Sequence, residues 1–326
     1  MTWLVWRQHR HQALFATAAL AAFAIVLLIT GLQIASQYHS ALVSCTASKT
    51  CALLPGTLLL SAGPVAFLVT LTLAVPAVLG VFWGAPLVAR EIETGTSQFA
   101  WMQSITRRHW LTVKTGWILL AAAACGGAVS ALVTWWSGPE NALKQQNFLP
   151  GPFDTQRIVP VSYALFAVAL GLAAGTLVRR TLPALAITLG VFTALRLAIT
   201  DYIRPHYMTA ITTTFSIAHP DFTPAGSYWQ LARGIIGPNG QEYPGRIGNM
   251  AGLQVTHTPS ACSAFMFNGK LSDMISCMAA HGYRGFSTYQ PASRYWAFQG
   301  IETGIFVLLA AALIAMTAIV LLRRDA

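Results

Sequence analysis

Charge is scarce in this sequence, and the scarcity decides its class. Only 9% of the 326 residues are charged against 55% hydrophobic, and the mean hydropathy is +0.56. Soluble domains carry about 25% charged residues, so the chain reads as a polytopic membrane protein. Acidic residues are the rarest group, ten against twenty Lys and Arg, and none sits in the middle of an apolar run. A carrier driven by a proton or sodium gradient needs an acid within the membrane to hold the ion, so that class is disfavoured. A G-x-x-x-x-G-K-[ST] phosphate loop is missing as well. The nearest fragment, Asn268-Gly269-Lys270-Leu271, lacks the first glycine and the hydroxyl that would hold magnesium. No cofactor is therefore expected in this chain, and any ATP energy must come from another polypeptide. No histidine falls in an apolar run and no Ser/His/carboxylate grouping is placed for catalysis, which makes a membrane enzyme the weakest reading.

The net charge of +10 does not point to nucleic acid, because the basic residues stand at the ends of apolar runs and form no patch with interleaved aromatics. Their placement fits the positive-inside rule. Met1–Gln12 sets Trp3 and Trp6 beside Arg7 and Arg10, the pattern of an amphipathic helix in the membrane interface. Residues 13–32 form the first span; it is too long for a signal peptide, and no small-residue cleavage site follows. Residues 33–57 are expected as an outer loop. The second span runs over 64–88 with Pro64, Pro76 and Pro86, the third over 111–136 with Lys114 placed to snorkel, and the fourth over 160–178. Gly171 and Gly175 lie in a small-xxx-small register that permits close helix contact. Arg179 and Arg180 mark a tight inner turn before a fifth span, 182–200. Residues 201–299 are polar and turn-rich and are expected as an extracytoplasmic domain, and 300–322 form the sixth span. The expected fold is an all-α polytopic membrane protein with six transmembrane helices, both termini cytoplasmic, and a large outer domain between helices 5 and 6. Its expected location is a cell membrane, crossed several times.

The one charged interruption of the first 140 residues is Pro86–Trp110, which carries Arg90, Glu91, Glu93, Arg107 and Arg108 between two apolar runs. Within it, Arg90-Glu91-Ile92-Glu93-Thr94-Gly95-Thr96 resembles the R-E-x-E-x-G-T signature after the second span of ABC-2-type permeases, the membrane subunits of ATP-binding-cassette exporters. The likeness extends to a group of actinobacterial permeases that open with MTWL-x-WRQHR, continue with PLVARE-x-E-x-GT-x-x-x-AW-x-QS-x-TRR-x-W and carry YQP-x-x-R-[YFW]-W-x-FQ-x-IE. Here these are Met1–Arg10, Pro86–Trp110 and Tyr289–Glu302. The resemblance implies a homodimer beside two copies of a separate ATPase that binds ATP and Mg, with 86–110 as a cytoplasmic coupling segment. On that reading Arg90, Glu91, Glu93, Arg107 and Arg108 meet the partner, Gly95-Thr96 breaks the helix, Thr96 or Ser97 caps the following turn, and Phe99 and Trp101 anchor the contact. The plainer alternative is a solvated loop whose aromatics rest on the membrane.

Arg196 is the one charge placed inside a span, and an Arg196–Glu302 ion pair is expected to clamp spans five and six; outward snorkelling of Arg196 is the alternative. Of the five cysteines, Cys125 falls in the third span, whereas Cys45, Cys51, Cys262 and Cys277 fall outside, where disulfides persist. Three pairings are open. Cys45–Cys51 and Cys262–Cys277 are favoured because each closes a short loop, and neither has the C-x-x-C spacing of a zinc site. The leading function is export of an amphipathic or hydrophobic substrate (drug, lipid or peptide); a membrane sensor or assembly protein binding a ligand through its outer domain is the competing one.

Overall fold

The structure, a computed structural model, describes residues 2–48, 62–93, 106–139, 141, 147–218, 228–244, 262 and 271–323. Six helices are long and apolar enough to cross a membrane: Thr17–Ser40, Thr70–Glu91, Arg108–Trp136, Val159–Val178, Thr181–His206 and Ala292–Arg323. Apart from residues 205–206 and 292–295 they belong to one compact unit, residues 1–144, 150–204 and 296–326, while residues 145–149 and 205–295 form a second.

In the first unit, α1 (Thr2–Ser48) is a single helix of 47 residues. At 1.5 Å per residue it is about 70 Å long, over twice the hydrocarbon thickness. The backbone of the expected interfacial helix is thus continuous with the first span, and the loop expected from Gln33 is helical as far as Ser48. The second span is composite: α2 (Ala62–Leu79, with Pro76 inside), one π-helical turn (Gly80–Gly84) and α3 (Ala85–Glu93). Pro76 cannot donate to the carbonyl four residues back, and a π turn close behind it absorbs the register change. Next come α4 (Arg107–Trp136), opened by the Thr106 hydroxyl accepting from the His109 N–H, and short α5 (Pro150–Thr155). Helix α6 (Val159–Val178) ends on Arg179 at φ 57°, and α7 (Thr181–Ala198) continues through a π turn into a 3-10 turn at Arg204–His206. Helix α9, numbered after α8 of the second unit, is Tyr295–Arg323.

Spans two and four meet through glycine. A Cβ on Gly171 would stand 2.4 Å from the Gly80 carbonyl oxygen and 2.6 Å from the Ala85 nitrogen, and one on Gly175 would stand 2.6 Å from the Ala85 carbonyl. Gly80 and Gly84 face back with the same intolerance, toward the carbonyls of Ala167 and Val168. Two small-xxx-small faces therefore lock backbone to backbone, where van der Waals contact is what holds helices together in lipid. Around the seam pack Leu79, Leu87, Val88, Ala122, Cys125, Ala164, Val168 and Leu172. By contrast Leu182, Leu189, Leu197 and Leu308 are exposed, as hydrocarbon-facing residues are.

The second unit adds a four-stranded antiparallel sheet that an all-α expectation did not contain. Its strands are β1 (Ile211–Ser216), β2 (Trp229–Ile236), β3 (Glu242–Pro244) and β4 (Arg284–Gln290), in the order β1-β4-β2-β3. Phe215 pairs with Gly285, whose missing Cβ leaves room for the ring. Helix α8 (Leu271–Ala280) supplies Met274 and Met278 to a core with Ile217, Ile235 and Cys262.

Candidate functional site

The helical unit carries polar clusters at opposite ends of its spans. At the end reached by the C-terminus of span two, Glu91 ion-pairs with Lys114 of α4, whose side chain is 6% exposed and lies 4.7 Å from the Trp110 ring centroid. Lys114 is therefore held inside the bundle and does not snorkel. Two residues on, Glu93 Oε2 accepts from the Thr181 backbone N–H at 3.0 Å and from its hydroxyl at 2.6 Å. The first N–H groups of a helix lack internal partners, so a carboxylate from α3 caps α7 and faces its positive dipole end. The Thr181 hydroxyl, then its N–H, and then the charge of Arg180 hold the Glu93 carboxyl below its ordinary value. Both acids of the charged stretch thus have partners within the chain.

The other end holds a five-residue cluster. Arg204, 1% exposed, sends Nη2 to Asp154 Oδ1 at 2.5 Å and to Glu302 Oε1 at 2.5 Å, and Nε to Glu302 Oε2 at 2.8 Å. Arg196 Nη2 pairs with Asp154 Oδ2 at 3.1 Å, and its Nη1 donates to the Leu73 carbonyl at 2.9 Å. Leu73 adjoins Thr72, whose carbonyl Pro76 leaves without its helical donor, so Arg196 donates within the turn that the proline loosens. The Tyr163 hydroxyl donates to Glu302, and its ring lies 4.7 Å from the Arg196 guanidinium. Nearby, the Gln299 side-chain oxygen accepts from the N–H groups of Ile158 (3.3 Å) and Val159 (3.2 Å), and its amide donates to the Phe153 carbonyl. Two carboxylates and two guanidiniums cancel, and both oxygens of each acid accept from a donor within the cluster. Such a cluster clamps helices together and leaves no vacant carboxylate for a travelling ion.

These contacts correct one expectation: Arg196 pairs with Asp154, and Glu302 pairs with Arg204. The competitor was Arg204, which lies four residues beyond the expected end of the fifth span, after a π turn, and donates to Glu302 of α9. Of the expected coupling residues, Arg90 and Arg108 are exposed, Arg107 lies in α4 with its side chain outside the described residues, and Gly95, Thr96, Phe99 and Trp101 lie outside them altogether. The side chains of Trp3, Trp6, Arg7, Arg10 and Cys45, and all of Cys51, are likewise outside. Cys262 and Cys277 are joined by a disulfide, with His281 Nδ1 3.8 Å and 3.9 Å from their sulfurs. Sequence reasoning missed Asp154, Tyr163, Arg204 and Thr181. The only signal was that Asp154 and Arg204 each fall within a few residues of a span end.

Among curated proteins and among solved structures, nothing matches the chain. A family profile described as ABC-2 membrane transporter related matches residues 17–204, more than half of the sequence and five of the six spans. With its multi-pass helical unit and that match, the chain belongs to the ABC-2 membrane transporter related family, whose members are permeases of transport systems.

Proposed function

We propose that the chain is the membrane-spanning subunit of an ATP-binding-cassette exporter, working as a homodimer with two copies of a separate ATPase and moving an amphipathic or hydrophobic molecule outward across the bacterial plasma membrane. The observation that carries this reading is the clasp beneath the charged stretch. Helix α3 enters the stretch and α4 leaves it, the two are pinned by Glu91–Lys114, and α3 is pinned to α7 by Glu93–Thr181. A push delivered to 94–105 by an ATPase then moves spans two, three and five as one body, which is what coupling by rigid-body tilting requires. The Arg179–Arg180 turn at the same end supports a cytoplasmic placement, and the Cys262–Cys277 disulfide supports an extracytoplasmic placement of the second unit.

Because Glu91 and Glu93 are engaged within the chain, the aromatics of the stretch are the sharper probes. The full chain is co-expressed with a candidate ATP-binding-cassette ATPase, purified by a tag on the permease, and assayed for captured ATPase and its turnover. Phe99→Ala with Trp101→Ala is expected to reduce capture at least about tenfold, as loss of aromatic anchors does. Lys114→Met is expected to keep capture while lowering the stimulation that the permease gives the ATPase. Unchanged capture and turnover in the aromatic double variant would sink the coupling assignment.

A further inference from the structure

The second unit carries a group of side chains that the transport reading leaves unused. Cys262 is fully buried at the edge of the sheet core, Cys277 lies on α8, and His281 follows one turn later. Their ligand atoms all lie within 4.8 Å of one another. A disulfide alone needs no imidazole against both sulfurs, and the spacing has a second meaning. With Zn–S about 2.3 Å and Zn–N about 2.0–2.1 Å, a tetrahedral site places S and N roughly 3.5 Å apart. The observed separations, 3.8 Å to Cys262 and 3.9 Å to Cys277, are already near that edge length. Only the two sulfurs must part, and Cα atoms 5.9 Å apart leave room for this by side-chain rotation.

We propose that this corner is a redox-gated metal site, closed while the disulfide stands and opened by reduction to bind a thiophilic divalent cation such as Zn²⁺ through Cys262 Sγ, Cys277 Sγ and His281 Nδ1. The chemistry balances in two steps. A dithiol reductant transfers two electrons and two protons, becoming a cyclic disulfide while Cys262 and Cys277 become thiols. The cation then displaces both thiol protons to solvent and forms two metal–thiolate bonds. In the disulfide state Nδ1 donates its hydrogen to the Cys277 carbonyl 2.9 Å away. Ligation moves that proton to Nε2, leaving an N–H free to be held by an acceptor, as ligating histidines commonly have. Three protein ligands leave a fourth position for water.

The test uses the purified full chain, oxidised or reduced with a phosphine that is then removed, titrated with Co²⁺ alone. Reduced protein is expected to take up one Co²⁺ with thiolate-to-metal charge transfer and the intense visible bands of a tetrahedral ion, and oxidised protein to give neither. Bound Zn²⁺ is expected to slow alkylation of Cys262 and Cys277 in peptide mass maps while leaving the other cysteines unchanged. Loss of one outer-shell partner weakens metal affinity about 10–100-fold, so losing a direct ligand in His281→Gln should weaken it by more than about 100-fold. That variant keeps both cysteines and hence the disulfide-bonded fold, which a thermal transition matching the parent verifies. Tetrahedral cobalt spectra from oxidised protein, none from reduced protein, or undiminished affinity in His281→Gln would each overturn the proposal.

Discussion

The two ends of the helical unit solve the same problem with different chemistry. At the Glu302 end, four charges and a tyrosine hydroxyl are sealed among five chain elements, and Arg204, Tyr163 and Glu302 are at most 1% exposed. At the Glu91 end one ion pair is partly accessible, and the neighbouring cap by Glu93 is open to solvent. A sealed network strengthens its own contacts but makes every missing partner costly, whereas an open one is weaker and tolerates rearrangement. The sealed end is therefore the costlier of the two to perturb.

Deleting a sealed charge gives the largest expected effect. Arg204→Ala strands Asp154 and Glu302, and its cost is about 3–5 kcal/mol, read as a sharp fall in the thermal midpoint in detergent. Arg204→Met with Glu302→Leu, which removes both signs, should recover a large part of that loss; a double variant as unstable as the sum of its singles would break the comparison. The glycine seam between the two ends comes next. Gly171→Ala forces a methyl against the Gly80 carbonyl, and overpacking of this kind costs about 1–3 kcal/mol. Little change in its thermal midpoint would mean that spans two and four part easily.

At the open end, Lys114→Met should cost roughly 1–2 kcal/mol, the lower part of the range for a stranded partner, and Glu91→Gln on top should restore stability. The smallest effect belongs to Glu93. Its folded-state pKa lies below the ordinary 4.5, so the stability it contributes is present above 4.5 and fades as pH falls through the depressed folded value. Thermal midpoints of the parent and of Glu93→Gln should therefore differ at neutral pH and converge below about 4.5; a gap independent of pH would assign the effect to shape rather than charge.

The six apolar runs were legible because hydrocarbon imposes a simple length and composition rule on each segment separately. Half of the glycine seam was legible too: Gly171 and Gly175 announced a close contact, while Gly80 and Gly84 passed as ordinary span residues until Pro76 and the π turn set their faces. The sealed cluster was not legible. Arg204 fell at the start of the polar, turn-rich stretch 201–299, and Asp154 follows Pro150-Gly151-Pro152-Phe153, which reads as irregular chain. Pairing between residues 50 and 98 positions apart is decided by tertiary folding, which no local pattern encodes. The sheet hid for a related reason: Ile211–Ser216 is a Thr-rich strand with little apolar alternation.

Gln299 and Glu302 lie on α9, which is synthesised after the elements whose polar groups they complete. Until that helix emerges, Arg196 and Arg204 share the single carboxylate of Asp154, and the opening N–H groups of Ile158 and Val159 wait for an acceptor. A chain stopped short of residue 299 thus holds an uncompensated positive charge at a membrane boundary and an uncapped helix beside it. Electrical neutrality at this end of the bundle is in this way reached only once α9 has joined it.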